Sequence, residues 1–172
     1  MPKFMMSETV DSSEVITARL GAGTYTALAS NVYGDTEVNK FVKLVGASRY
    51  ALCVAGDAIE GRITSVEVSR RDDYSIGGVA TEADFFQVTL DGLQATPGTG
   101  VIAIGDFVVC GTVVAQGTSQ NSTGIPAKVC KATTQSTAMA NPGAWRVCSI
   151  GATGADGVSG AVGTVALIQS MF

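Results

Sequence analysis

The stretch from Tyr50 to Val79 constrains the fold more than any other part of this chain. An apolar run, Tyr50 to Ala55, ends in a Gly56-Asp57 turn. Gly61 and a run of strand-forming residues follow, Arg62 to Ser69. The stretch closes on Arg70-Arg71-Asp72-Asp73 and the pair Gly77-Gly78. Val66 and Val68 share one parity and Glu67 and Ser69 the other, the pattern of a strand with one face buried. Ile63 has the opposite parity to Val66. The spacing therefore predicts a β-bulge near Thr64 or Ser65.

Much of the remaining chain repeats this grammar of apolar run, tight turn and apolar run. Val15 to Leu20 and Thr24 to Ala29 are β-prone, with Gly21-Ala22-Gly23 as a turn between them. Asp35 is placed to cap a short helix through Lys40, and Phe41 to Val45 reads as a strand, so the expectation is a helical turn followed by a strand. Phe86, Val88 and Leu90 alternate with Phe85, Gln87 and Thr89, and Asp91-Gly92 supplies turn chemistry at the end. Ala95 to Gly98 is a further turn. Val101 to Ile104 leads into Gly105-Asp106, and Phe107 to Val114 reads as a buried strand. Gly-Asp after an apolar run thus occurs twice, at Gly56-Asp57 and Gly105-Asp106, a weak sign of an internal repeat. Gly117 to Gly124 is a polar loop. Ala127–Thr133, Ala144–Ile150 and Thr164–Gln169 are strand candidates, and Gln135–Pro142 is a loop or one helical turn.

Few segments combine Leu, Glu, Lys and Ala at helical spacing, while Gly, Ser, Thr, Val and Ala abound. The expected fold is mainly β: a compact antiparallel β-barrel or sandwich with long loops and at most one or two short helices. Residues 14–172 are read as a single β-rich domain and residues 1–13 as a flexible N-terminal arm. In that arm Phe4, Met5 and Met6 lie between polar flanks, either as part of a frayed terminus or as a segment that docks on a partner. No secretory leader and no apolar run of membrane length is visible, so the protein is expected to be made in a cytosol and to engage no membrane.

A net charge of −4 with sparse Lys and Arg argues against nucleic-acid binding, which needs a basic face. The chain has no histidine, which removes Ser-His-Asp and Cys-His catalysis and every histidine metal site. Asp57 with Glu60 and Glu82 with Asp84 are carboxylates close in sequence, but they stand beside turn glycines and without sugar-stacking aromatics. There is no phosphate-binding glycine loop, and Asp72-Asp73 alone is too little for calcium. Cys53, Cys110, Cys130 and Cys148 each sit in an apolar run, with no Cys-x-x-Cys pair. They read as small buried side chains, able to pair as disulfides only outside a reducing compartment. Asn121-Ser122-Thr123 fits the glycosylation pattern, which a cytosolic product would not use. No cofactor, no metal, no small-molecule substrate and no enzymatic activity are expected.

Glycine recurs at every third position from Gly151 through Gly154, Gly157 and Gly160 to Gly163. The run is too short and too poor in proline for a collagen helix. It reads as a glycine loop between two strands or as a local three-chain contact.

The segment from Asn39 to Val79, with its Gly-Asp turn, Glu60-Gly61 strand start, Ser65-Val66-Glu67 strand and Tyr74-Ser75 close, resembles the small capsid decoration (cement) proteins of tailed bacteriophages. The later stretch from Thr96 to Gly117 is similar to their glycine-rich barrel strands, and Val162 to Ile168 to their closing strand. The resemblance covers roughly Asn39 to Phe172. It implies a viral structural protein, a β-rich and often homotrimeric module on the outer surface of the virion. Such a module bridges neighbouring copies of the major capsid protein and is made in the host cytoplasm. On that reading Phe4, Met5 and Met6 are the candidate capsid contacts. The alternatives are a tail-associated or receptor-binding adhesion module and, third, a carboxylate-dependent hydrolase.

Overall fold

The computed structural model describes residues 15–21, 33–46, 49–69, 74–81, 85–134, 144–151 and 159–171. The described chain is mainly β, and its only helical pieces are single 3-10 turns at Asp35–Glu37 and Asn121–Thr123. Residues 1–14, including Phe4, Met5 and Met6, lie outside the described residues.

Five strands, β1 (Val15–Leu20), β2 (Phe41–Gly46), β3 (Arg49–Leu52), β4 (Gly61–Ser69) and β5 (Tyr74–Ala80), close into a barrel in the order β1-β3-β2-β4-β5. β1 and β3 run parallel and the other four pairings are antiparallel. The chain then continues through β6 (Phe86–Leu93), β7 (Thr96–Pro97), β8 (Val101–Ala103), β9 (Phe107–Cys110), β10 (Lys128–Lys131), β11 (Trp145–Ile150), β12 (Ser159–Ala161) and β13 (Val165–Ser170). Here β6-β10-β9-β11-β13 close a second ring, with β6 and β10 parallel and the other four pairings antiparallel.

The two barrels therefore have one topology, and their registers coincide. Phe41 pairs with Arg62 as Phe107 pairs with Arg146. Leu20 lies beside Tyr50 as Leu90 lies beside Val129. Carried round both rings, the registers equate Leu20 with Leu90, Val42 with Val108, Tyr50 with Val129, Ile63 with Val147, Val66 with Ile150 and Val79 with Ile168. All of these are buried or partly buried in their own barrel. Each pairing ladder has its shift at the same place, between Ile63 and Ser65 and between Val147 and Ser149. The bulge expected near Thr64 or Ser65 is thus at Thr64, and Cys148 is its counterpart. A bulge lets both Ile63 and Val66 face inward, which an unbroken period of two forbids. The internal repeat is this shared ring of pairings, with x-Arg-[Ile/Val]-x-Ser-[Val/Ile] at Gly61–Val66 and Trp145–Ile150 as its clearest trace in sequence.

The two Gly-Asp dipeptides are not the repeat: Gly56-Asp57 follows the third strand of one barrel and Gly105-Asp106 precedes the second strand of the other. They are instances of a turn used five times among the described residues. In Val54–Asp57, Thr96–Thr99, Ala103–Asp106, Ala115–Thr118 and Ala161–Thr164 the fourth residue's N–H donates to the first residue's carbonyl at 3.0–3.1 Å. The third residue is always glycine, with φ between 79° and 93°. Asn39 is the one non-glycine with positive φ among the described residues, so the second position is ordinary and the turns are type II.

Three expectations are corrected. The expected helical turn followed by a strand is present, but the turn ends at Glu37 rather than Lys40 and is capped by Gly34 rather than Asp35, because Val38 is extended and Asn39 left-handed. Asp91-Gly92 does not close β6. The strand runs on to Leu93, with Asp91 buried inside it. The strand starting at Phe107 stops at Cys110 rather than Val114, since Gly111 turns to Lys128 O and Thr112 N to Asp91. The pair Gly77-Gly78 lies in the middle of β5, where a Cβ on Gly77 would sit 2.1 Å from Ser65 O, against the bulged strand.

The described glycines of the triplet series have single-chain causes. Gly151 and Gly163 have positive φ. Gly160 packs so close to Leu90 and Ile150 that a Cβ would lie 2.6 and 2.8 Å from them. Gly154 and Gly157 lie outside the described residues.

Candidate functional site

Phe41, Ile59, Arg62, Phe86 and Trp145 meet along a seam between the barrels. Phe86 and Trp145 close one end of the second barrel, their rings stacked with centroids 4.5 Å apart. Phe41, on the outside of the first barrel, meets Phe86 at 6.2 Å. Trp145 Nε1 donates to Ile59 O at 3.1 Å, so the indole carries a cross-barrel bond. The buried Arg62 guanidinium lies 4.5 Å from the Phe86 ring centre, a cation–π contact. Burial lowers its pKa to about 10, which still leaves it charged at neutral pH. One apolar cluster therefore runs from Phe41, Ile59 and Ala80 into the interior of the second barrel.

A second fastening is ionic. Glu37 and Lys40 are a buried pair, Nζ to Oε1 3.3 Å. Glu37 Oε1 also accepts from Gly117 N at 2.7 Å, and Oε2 from Gly34 N and Thr36 Oγ1 at 2.8 Å. Lys40 Nζ donates to Ala115 O at 2.8 Å. The pair thus grips the 115–117 turn of the second barrel from the 3-10 turn of the first. Burial pushes the Glu37 carboxyl upward, but the N–H groups of Gly34 and Gly117, the Thr36 hydroxyl and Lys40 outweigh it, and its pKa falls below the ordinary value. Asn39 Nδ2 donates to Asn121 Oδ1 at 2.7 Å beside this grip. No motif flagged Glu37 and Lys40. Only their i, i+3 spacing could have, and that spacing is common on exposed helices too.

Other charges are also engaged in holding the fold. Asp57 caps its own turn through Val54 N at 2.7 Å and pairs with Lys43 at 2.7 Å. Asp106 repeats this with Ala103 N at 2.8 Å and Lys131 at 2.9 Å. Glu60, the sequence partner of Asp57, accepts from Leu44 N at 3.0 Å instead. Asp91 accepts from Thr112 N at 2.8 Å and meets Lys128 at 3.5 Å. Glu82 and Asp84, and Arg70 to Asp73, lie outside the described residues. Among the described residues, no three Cys, Asp or Glu side chains gather as a metal site. Cys53, Cys110 and Cys130 are buried free thiols and Cys148 is half-buried.

Between the barrels lies an apolar cleft of about 190 Å³, lined by Lys40, Phe41, Leu52, Cys53, Val54, Cys110 and Val113 among others. On the outer surface, large apolar side chains are exposed on both barrels, among them Ile16, Leu44, Val45 and Val54 on the first, and on or beside pieces added to the second. The link between the fourth and fifth barrel strands is residues 70–73 in the first barrel but 151–164 in the second, long enough to hold β12. β12 pairs with β8, Val101 opposite Ala161. On or beside these additions Leu93, Val101, Ile104 and Val162 are 37–57 % exposed.

Comparison of the chain with protein-family models, with curated proteins and with solved structures gives no match.

Proposed function

We propose that this protein is a structural component of a virus particle: a head decoration protein of a tailed bacteriophage that binds the outer capsid surface and bridges major capsid protein subunits. One observation carries the reading. Two closed barrels are locked together by Trp145, Glu37 and Lys40, while large apolar side chains such as Leu44, Val54, Val101 and Ile104 remain exposed on both of them. Rigid bodies with such exposed groups suit binding to other protein surfaces. The sequence resemblance supplies the partner. A ligand that binds only the assembled shell stabilises it by mass action, and many copies at symmetry-related sites add avidity. The working form is a homotrimer on this reading.

The test is copy number and binding. Purified particles carrying hundreds of copies fit a shell protein, and about a dozen or fewer indicates the tail-associated alternative, as particle symmetry dictates. Added to undecorated capsids, the full chain raises their thermal stability. Removal of residues 1–10, with Phe4, Met5 and Met6, leaves the barrels folded and weakens attachment. Unchanged affinity on truncation removes the arm from the reading.

A further inference from the structure

The seam also brings two thiols together. Cys53, just after β3, and Cys110, the last residue of β9, belong to different barrels, are each 2 % exposed and share one core cluster. The Cys110 thiol lies near enough to Cys53 to push its pKa up, and Cys53 Sγ donates to Ala58 O at 3.6 Å. The backbone holds this approach. Gly56 N donates to Cys110 O at 2.8 Å and Cys110 N to Asp57 O at 2.9 Å, so the turn that follows Cys53 is laced to Cys110. Barrel closure does not require a thiol here: the first-barrel counterpart of Cys110 is Leu44, which is 47 % exposed. Both cysteines line the cleft between the barrels, which gives a small reagent an approach.

We propose that Cys53 and Cys110 are a redox latch, closing into a disulfide that joins the two barrels when the protein meets a disulfide oxidant such as oxidised glutathione. One thiol loses its proton and the thiolate attacks a glutathione sulfur, releasing one glutathione. The second thiolate then attacks the protein sulfur of the mixed disulfide and releases the other glutathione. Two cysteine thiols lose two protons and two electrons, and one oxidised glutathione becomes two reduced molecules. The neighbouring Cys110 thiol, and then burial, push the Cys53 pKa up. Closure is therefore slow at neutral pH and quickens in alkaline buffer.

The rival partner is on the wrong face. In the β9–β10 pair Cys110 stands opposite Val129 and Cys130 opposite Val109. Cys110 therefore faces inward and Cys130 outward, where its thiol donates to Asp91 O at 3.6 Å. Cys148 is held at Leu167 O, 3.2 Å away. The latch does not depend on the decoration reading.

The full-length protein is incubated with oxidised glutathione in mildly alkaline buffer, with and without urea below the unfolding midpoint. Free thiols are then alkylated and the peptides mapped by mass spectrometry. The expected product is an intramolecular Cys53–Cys110 disulfide, with Cys130 and Cys148 alkylated after denaturation. Relative to the reduced protein its Tm rises on the order of 5–10 °C, as cross-linking the barrels restricts the unfolded chain. Cys53→Ser and Cys110→Ser lose this oxidant-dependent rise. A disulfide through Cys130 or Cys148, glutathione retained on Cys53 or Cys110, or both thiols still free in either condition overturns the proposal.

Discussion

Thr64 and Cys148 occupy the same place in successive barrels. Each is the residue at which the fourth strand bulges, between an inward Ile63 or Val147 and the shared serine Ser65 or Ser149. A threonine and a cysteine can exchange there because the bulge asks for an extra residue, not for a particular side chain. Cys148→Thr is expected to change stability by no more than about 1 kcal/mol, as for a substitution that leaves register intact. Deleting Cys148 leaves Val147 and Ile150 two positions apart, so both still face inward on an unbroken ladder opposite Ile168 and Ala166. Unfolding should stay cooperative, with stability lowered by more than in Cys148→Thr because the bulge's local twist is lost. Urea titrations of the two variants distinguish these outcomes.

Trp145 is the only tryptophan in the chain, so its fluorescence reports on the seam. Because one apolar cluster crosses from Phe41 and Ile59 into the second barrel, fluorescence and far-ultraviolet circular dichroism should unfold together. Trp145→Ala should cost about 3–5 kcal/mol, the range for emptying a large buried aromatic site. Two resolved transitions in the native protein would show that the barrels unfold separately.

Glu37 makes stability depend on acid. Its carboxyl has a pKa below the ordinary 4.5 in the folded chain, so the folded state favours the charged form. That contribution is fully present above 4.5 and is lost as pH falls through the lower folded value. Glu37→Gln should be less stable at neutral pH and should show a flatter decline below 4.5, with unfolding midpoints measured across pH as the readout. Lys40→Met leaves a buried carboxylate short of its counter-ion, and should cost up to about 3–5 kcal/mol. The Gly34, Thr36 and Gly117 donors that remain should hold the loss toward the lower end.

Two glycines with nearly equal φ should respond differently to alanine. Gly98 has φ 85° and open space where a Cβ would be, so Gly98→Ala costs only the left-handed conformation, about 1–2 kcal/mol. Gly92 has φ 83°, but its Cβ would lie 2.0 Å from Thr99 O. Gly92→Ala must move the β6–β7 hairpin as well, and should be the more destabilising by thermal melt.

Short-range chemistry was legible in the sequence alone. Alternation at Val66–Ser69 and Phe86–Leu90, the parity break at Ile63, and the Gly-Asp turns each depend on residues a few positions apart, and each implies β structure by local geometry. The order of the strands was not legible. An inward position needs only an apolar side chain of suitable volume, so Tyr50 and Val129, or Ala18 and Val88, serve equivalent places without looking alike. Links of unequal length hide the remaining correspondence. Long-range pairing decided that there are two barrels, that Gly77-Gly78 lies within a strand, and that Asp91 continues β6. It also decided the seam: Glu37 and Lys40 reach Gly117 and Ala115, Trp145 reaches Ile59, and Cys53 meets Cys110, all across separations that no local pattern encodes. Burial gives these polar and thiol groups their roles, and burial is a property of the closed fold rather than of any one segment.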